Sequence, residues 1–144
     1  PLYTAWSHGK DVQPIPADTI ATAIKIGAPV SWRKSMRGLR ALDGVVTQVC
    51  DNEIMDAKAQ VDASGIGAEP ASCATVAGLK RLIQEGVISK NDTVVGVLTG
   101  NLLKDPDVVV GYHTNKLDGI DSARANAPAK APADVEAIRR LIQS

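Results

Sequence analysis

The sequence predicts an α/β layer with parallel strands, and three observations carry that prediction. Two β-rich runs, residues 45–50 (Val-Val-Thr-Gln-Val-Cys) and 93–98 (Thr-Val-Val-Gly-Val-Leu), flank two stretches of helical periodicity. The second run is almost continuously apolar, as a strand buried on both faces would be. Glycines at 65, 67 and 86 and the pair Asn91-Asp92 punctuate the segments where a strand–helix–helix–strand order needs breaks.

Taken in order, residues 1–18 carry Pro14, Pro16 and Asp18 and read as loop. Residues 19–27 are small and apolar and end at Gly27. Residues 31–42 suit a helix with Ser31 as its cap. After the first predicted strand, Asp51 reads as the cap of a helix in which Ile54, Ala57 and Val61 recur on one face. A second helix covers about 71–85, with Val76, Leu79, Leu82 and Ile83 aligned and Gly86 at its end. Residues 107–112 read as a short edge strand. Residues 121–133, rich in Ala and Pro, form a low-complexity linker. Asp134 then caps a last helix with Val135, Ile138, Leu141 and Ile142 on one side.

Composition narrows the function classes. With 144 residues there is room for about one domain, and 44% hydrophobic content can supply a core. Sixteen basic residues balance sixteen acidic ones, so no electrostatic footprint points to nucleic acid or an anionic membrane. No apolar run reaches the length of a membrane span, so no membrane partner is expected. Phe is absent, which leaves packing to Val, Ile, Leu and Ala. The two cysteines, Cys50 and Cys73, lack metal-site spacing, and a reducing, cytoplasmic setting fits them. The chain opens at Pro1 without Met and reads as a piece of a longer protein.

Several motifs invite chemistry. At residues 97–100 (Val-Leu-Thr-Gly) a buried run ends in a hydroxyl and a glycine, and ligands of open α/β sheets bind outside the carboxyl ends of strands. The Thr99 hydroxyl can give and take one hydrogen bond there. From position alone the plainer reading, a turn-satisfying hydroxyl, carries more weight. Glu69-Pro70-Ala71-Ser72 suits a helix start, and both Glu69 and Ser72 read first as caps. Lys104 in a Lys-Asp-Pro turn reads first as solvated. His8 and His113 lack ligand or acid–base partners at useful spacing, and Cys50 and Cys73 read as small packing residues. Gly65 and Gly67 lack the third glycine of a dinucleotide fingerprint.

Together these segments say more than each does alone. The string Thr19-Ile20-Ala21-Thr22-Ala23-Ile24-Lys25-Ile26-Gly27-Ala28-Pro29-Val30-Ser31-Trp32, then Glu69-Pro70-Ala71-Ser72, then Leu98-Thr99-Gly100 through Lys104-Asp105-Pro106, resembles three consecutive signatures of the threonine synthases. The resemblance covers residues 19 to about 107. The first signature is specific to that family; the other two are shared more loosely among fold-type II pyridoxal-phosphate enzymes.

The resemblance implies the parallel-sheet part of a fold-type II, tryptophan synthase beta-like large domain. It would occupy residues 1–120 as that domain's C-terminal part, followed by the linker 121–133 and the helix 134–144. It implies pyridoxal 5'-phosphate as cofactor, and a parent lyase converting O-phospho-L-homoserine and water to L-threonine and phosphate. The missing N-terminal half of the same enzyme is the expected partner, and the full-length enzyme is expected to be a homodimer. Thr99 matches the family residue at the pyridine nitrogen, Ala23 and Ile24 the small apolar positions against a ring face, and Glu69 a carboxylate near the pocket. No catalytic residue is nominated: the lysine motif that forms the family's Schiff base is absent, and neither Lys25 nor Lys104 stands in it. The alternatives are a threonine or serine dehydratase-like enzyme and a non-catalytic α/β binding module. One departure stands out. The family's L-T-G-x-G-L-K-D-P has Leu102 at its second glycine here, so a left-handed backbone at that position would strain it by about 1 kcal/mol or more.

Overall fold

The computed structural model describes residues 1–143, and its regular structure is helical. Among the described residues six α-helices follow one another: α1 (Leu2–His8), α2 (Trp32–Ala41), α3 (Asp51–Ala63), α4 (Pro70–Gln84), α5 (Pro106–His113) and α6 (Val135–Gln143). Short 3₁₀ turns lie at Thr22–Ile24 and Leu102–Lys104.

Helix α3 is the centre. Its residues Ile54, Met55, Ala57, Lys58, Ala59 and Val61 are all buried, so it is covered on more than one face. Against α4 it builds a cluster of Ala57, Val61, Ala68, Cys73 and Ala77. The small side chains let the two helices approach closely, and ion pairs from Arg81 to Glu53 (2.6 Å) and Lys80 to Asp56 (3.0 Å) edge the contact. On its other side Met55 and Ala59 meet the buried Tyr112 of α5. A separate cluster of Ala5, Val12 and Met36, supported by Trp6 and Trp32, joins α1 to α2.

Several expectations change here. The parallel sheet is not found: no strand is assigned among the described residues, and the one β-bridge is an isolated antiparallel pairing of Ala68 with Asn101. Runs 45–50 and 93–98 instead lie against α4 without forming a ladder. A Cβ at Gly78 would sit 3.5 Å from Thr47, and Thr75 Oγ1 donates to the Val97 carbonyl (3.3 Å). A strand needs a neighbour to donate to, and neither run meets one here.

Residues 107–112 are helix α5, not an edge strand. The β-branched run Val108-Val109-Val110 is outweighed by Pro106 at the first helical position and by the anchoring of Tyr112 against α3. Residues 1–18 are not all loop, because Leu2, Ala5 and Trp6 share a helical face over α2.

Asp51 does not cap α3. Cys50 occupies that position, and Glu53 accepts the Cys50 N–H (2.7 Å), which satisfies one end group of the helix. Ser31 precedes α2 but makes no side-chain cap bond. Leu102 is not strained: the only non-glycine residues with positive φ among those described are Asp43 and Asn115. Leu102 enters a 3₁₀ turn capped by Asn101, whose Oδ1 accepts the Leu103 N–H (3.0 Å). Its side chain seats on Gly67, where a Cβ would collide with it.

After α5 the chain returns across α3. Asp121 N–H donates to Asn52 (2.7 Å), and Arg124 reaches both Tyr112 and Asp56. Residues 125–133 are exposed. Asp134 caps α6 by accepting the Ala137 N–H (2.8 Å), as expected. The expected helix ran through Ser144, which lies outside the described residues. No helix among them is long and apolar enough to cross a membrane.

Candidate functional site around the start of helix α4

Thr99 and Glu69 come together at the N-terminus of α4. The bridge between Ala68 and Asn101 draws the two segments side by side, and Glu69 N–H donates to the Gly100 carbonyl (3.0 Å). In return, Gly100 N–H donates to Ser72 Oγ (2.8 Å), and Ser72 Oγ lies 3.1 Å from Thr99 Oγ1. Thr99 itself is exposed, so its hydroxyl stands at the surface of this cluster on a buried support.

Glu69 is 2% exposed and occupies the cap position of α4, yet its side chain caps nothing. It turns under Gly100 so closely that any Cβ there would collide with the carboxylate. Gly100 is therefore required by contact, not by backbone freedom. One carboxylate oxygen meets Lys104 Nζ at 3.5 Å, and the other, Oε2, is buried with no hydrogen-bond partner in the described structure. The α4 amides beside it favour negative charge at this end.

Ala23 and Ile24 fall in the 3₁₀ turn Thr22–Ile24, which packs along α4 but does not join the Thr99 cluster directly. Ile24 lines an open cleft of about 330 Å³ with Thr47, Ala74 and Gly78. Two aspartates clamp the segment. Asp51 accepts the Thr19 hydroxyl and the Ile20 N–H (3.0 Å), and Asp105 accepts the Thr22 hydroxyl at 2.8 Å. These clamps, and the Ser72 bridge, are the site features that sequence reasoning missed. Each joins residues at least 27 positions apart, and no local pattern announces such a contact.

The other candidates take structural roles. Cys73 is fully buried, and burial pushes its thiol up to about 11 although the nearby Lys58 ammonium opposes the shift. His8 Nδ1 bonds to the Thr4 carbonyl (2.8 Å) in its own helix, and His113 Nδ1 accepts the Asn126 N–H (2.9 Å). Lys25 faces Asp18 at the surface (3.4 Å). No group of three His, Cys, Asp or Glu among the described residues could hold a metal ion.

A family model described as "Pyridoxal-phosphate dependent enzyme" matches residues 1–100. The chain belongs to this family. Within this pyridoxal-phosphate enzyme family it is similar to named relatives. It is 40% identical over 126 residues to the threonine synthase of Methanosarcina acetivorans, covering 87% of this chain and 28% of that protein. Against the threonine synthase of Halalkalibacterium halodurans it is 47% identical over 94 residues, 65% of this chain and 27% of that one. Against threonine synthase 2, chloroplastic, of Arabidopsis thaliana it is 32% identical over 146 residues, 99% and 28% respectively. The chain thus spans under a third of the length of the curated relatives it matches.

Proposed function

We propose that this chain is the C-terminal portion of a threonine synthase and supplies the ring-nitrogen side of its cofactor site. The observation that carries the reading is the Thr99–Ser72–Gly100–Glu69 cluster, in a chain whose relatives are threonine synthases at 32–47% identity. The parent enzyme would convert O-phospho-L-homoserine and water to L-threonine and phosphate. It would work as a cytoplasmic homodimer, with residues 1–120 in the large domain and 45–50 and 93–98 as strands of a parallel sheet completed by the rest of the enzyme.

The residues present fit pyridoxal phosphate on this side. Thr99 offers a neutral, exposed hydroxyl on a rigid support, suited to an aromatic nitrogen that accepts a hydrogen bond. A carboxylate in its place would favour protonation of that nitrogen. When bound, the cofactor supplies a conjugated ring that takes up the electron pair released at the substrate's α carbon. Thr99 would hold the ring nitrogen by its hydroxyl. Ala23 and Ile24, in the segment clamped by Asp51 and Asp105, would lie against a ring face and shield it from water. Glu69, with Lys104, forms the floor beneath Gly100 that keeps Thr99 in place.

Two assays of the parent enzyme test this. Incubated with O-phospho-L-homoserine, it should release phosphate and L-threonine one to one; a 2-oxo acid and ammonia from L-threonine or L-serine alone would indicate a dehydratase instead. Thr99→Asp should raise transamination relative to threonine formation, because a protonated ring withdraws more charge. An unchanged rate and product partition would remove Thr99 from the cofactor site.

A further inference from the structure

We propose that Ser72 is a positioning residue that fixes the polarity of the Thr99 hydroxyl, making it a hydrogen-bond donor toward an acceptor nitrogen. The inference rests on the reading above, in which Thr99 meets the cofactor's ring nitrogen.

Ser72 is 2% exposed, so its hydroxyl proton must find an acceptor inside the protein. Its oxygen lies 2.8 Å from the Gly100 amide nitrogen, and an N–H can only donate. One lone pair of Ser72 is thereby used and its proton remains. Among the described residues, Thr99 Oγ1 at 3.1 Å is the acceptor left for that proton. Thr99 then receives a hydrogen bond from behind, and its own proton turns outward, where Thr99 is exposed.

The order Gly100 N–H, Ser72 O–H, Thr99 O–H is a chain of donors, each polarising the next by about 10–30%. Thr99 becomes a better donor and a poorer base. A ring nitrogen in front of it is held unprotonated by two neutral side chains, with no charge spent on the task. A capping serine would direct its hydroxyl to its own helix; the bonds of Ser72 leave α4 for residues 99 and 100. The charged groups beside the chain of donors are Glu69 and Lys104, 3.5 Å apart, and the variants below leave both in place.

The test is nitrogen-15 magnetic resonance of the parent holoenzyme loaded with pyridoxal phosphate labelled at the ring nitrogen, recorded as a function of pH. Ser72→Ala should raise the pH at which the ring nitrogen protonates, by at most roughly half a unit, because the Thr99 hydroxyl loses its donor from behind and is free to turn and accept from a protonated nitrogen. Ser72→Thr, which keeps the hydroxyl, should restore the wild-type midpoint. Thr99→Val separates the two claims. If it leaves the nitrogen signal unchanged, Thr99 is not at the ring and the underlying reading fails. If Thr99→Val moves the signal while Ser72→Ala does not, the cofactor contact stands and the role of Ser72 is overturned. Should Ser72→Ala fail to give holoenzyme, Ser72→Cys, close in volume and a weaker donor, carries the same comparison. An upward midpoint supports the proposal, and an unmoved one overturns it.

Discussion

The two sides of helix α4 differ in how completely they are covered. Toward α3 it is closed: Cys73 and Ala77 are buried against Ala57 and Val61, and Arg81 and Lys80 pair with carboxylates across the seam. Toward residues 93–98 it is open. Val95 is 84% exposed and Val97 63%, and an apolar groove of about 300 Å³ runs between Thr47, Leu79, Leu82 and Val94. Both sides carry apolar residues: Cys73 and Ala77 toward α3, and Val76, Leu79 and Leu82 toward the groove. The difference lies in the partners present: α3 is the preceding helix, whereas among the described residues runs 45–50 and 93–98 meet no strand neighbour. Local partners suffice for a helix pair, but a sheet needs every member present.

Substitutions can break or sharpen this contrast. The largest effect should come from Ala57→Asp, which buries a carboxylate among Val61, Cys73 and Ala77 in the closed seam and should cost about 3 kcal/mol or more. Val95→Asp in the same chain should change stability by less than about 0.5 kcal/mol, as surface changes do. In the parent enzyme the two should converge, because the proposed sheet covers Val95. Chemical denaturation of both variants, in the chain and in the parent, measures the contrast; an equal cost in the isolated chain would mean that the open side is covered by something local.

Thiol chemistry separates closed from open more gently. At pH 8 a disulfide reagent should modify Cys50, which is exposed, long before Cys73. Burial that moves the Cys73 thiol from 9.0 to about 11 leaves roughly a hundredfold less thiolate, and access lowers the rate further. Equal rates at the two cysteines would show that the α3–α4 seam opens freely.

The smallest effect is electrostatic. Glu53 is held below its ordinary value of 4.5, first by the Cys50 amide and then by Arg81. A carboxyl with a lowered folded-state value stabilises the fold above its unfolded value, and that contribution is lost as pH falls through the folded one. Glu53→Gln should therefore cost about 0.5 kcal/mol at pH 7, a partly exposed pair being screened. The difference from wild type should fade below about pH 4.5 in thermal melts at stepped pH. A gap that persists at pH 2 would assign the effect to packing instead of charge.

Periodicity made the main helices legible. The expected spans 31–42 and 71–85 lie within a residue or two of α2 and α4, and Asp134 was the right cap for α6. Helix α5 was missed because three consecutive valines weigh toward strand, while the deciding groups, Asp105 and Pro106 before them and Tyr112 after, act through the helix start and a distant packing partner. Helix α1 was missed although Leu2, Ala5 and Trp6 have helical spacing, because Pro14 and Pro16 weigh the stretch 1–18 toward loop. The site was legible in part. Glu69 and Thr99 were named by resemblance to a family pattern, and the structure places them side by side. Ser72, read as a cap, was legible only as a hydroxyl, since its two bonds reach 27 and 28 residues along the chain.

Hydrogen exchange tests most directly the central claim that this chain is one part of a larger pyridoxal-phosphate enzyme. Amides of α3 and α4 should be protected in the isolated chain, while those of 45–50 and 93–98 exchange as fast as in an open segment. In the parent holoenzyme the same two runs should become as protected as the helices. Strong protection of 45–50 and 93–98 in the isolated chain would contradict the account and show a module that completes itself.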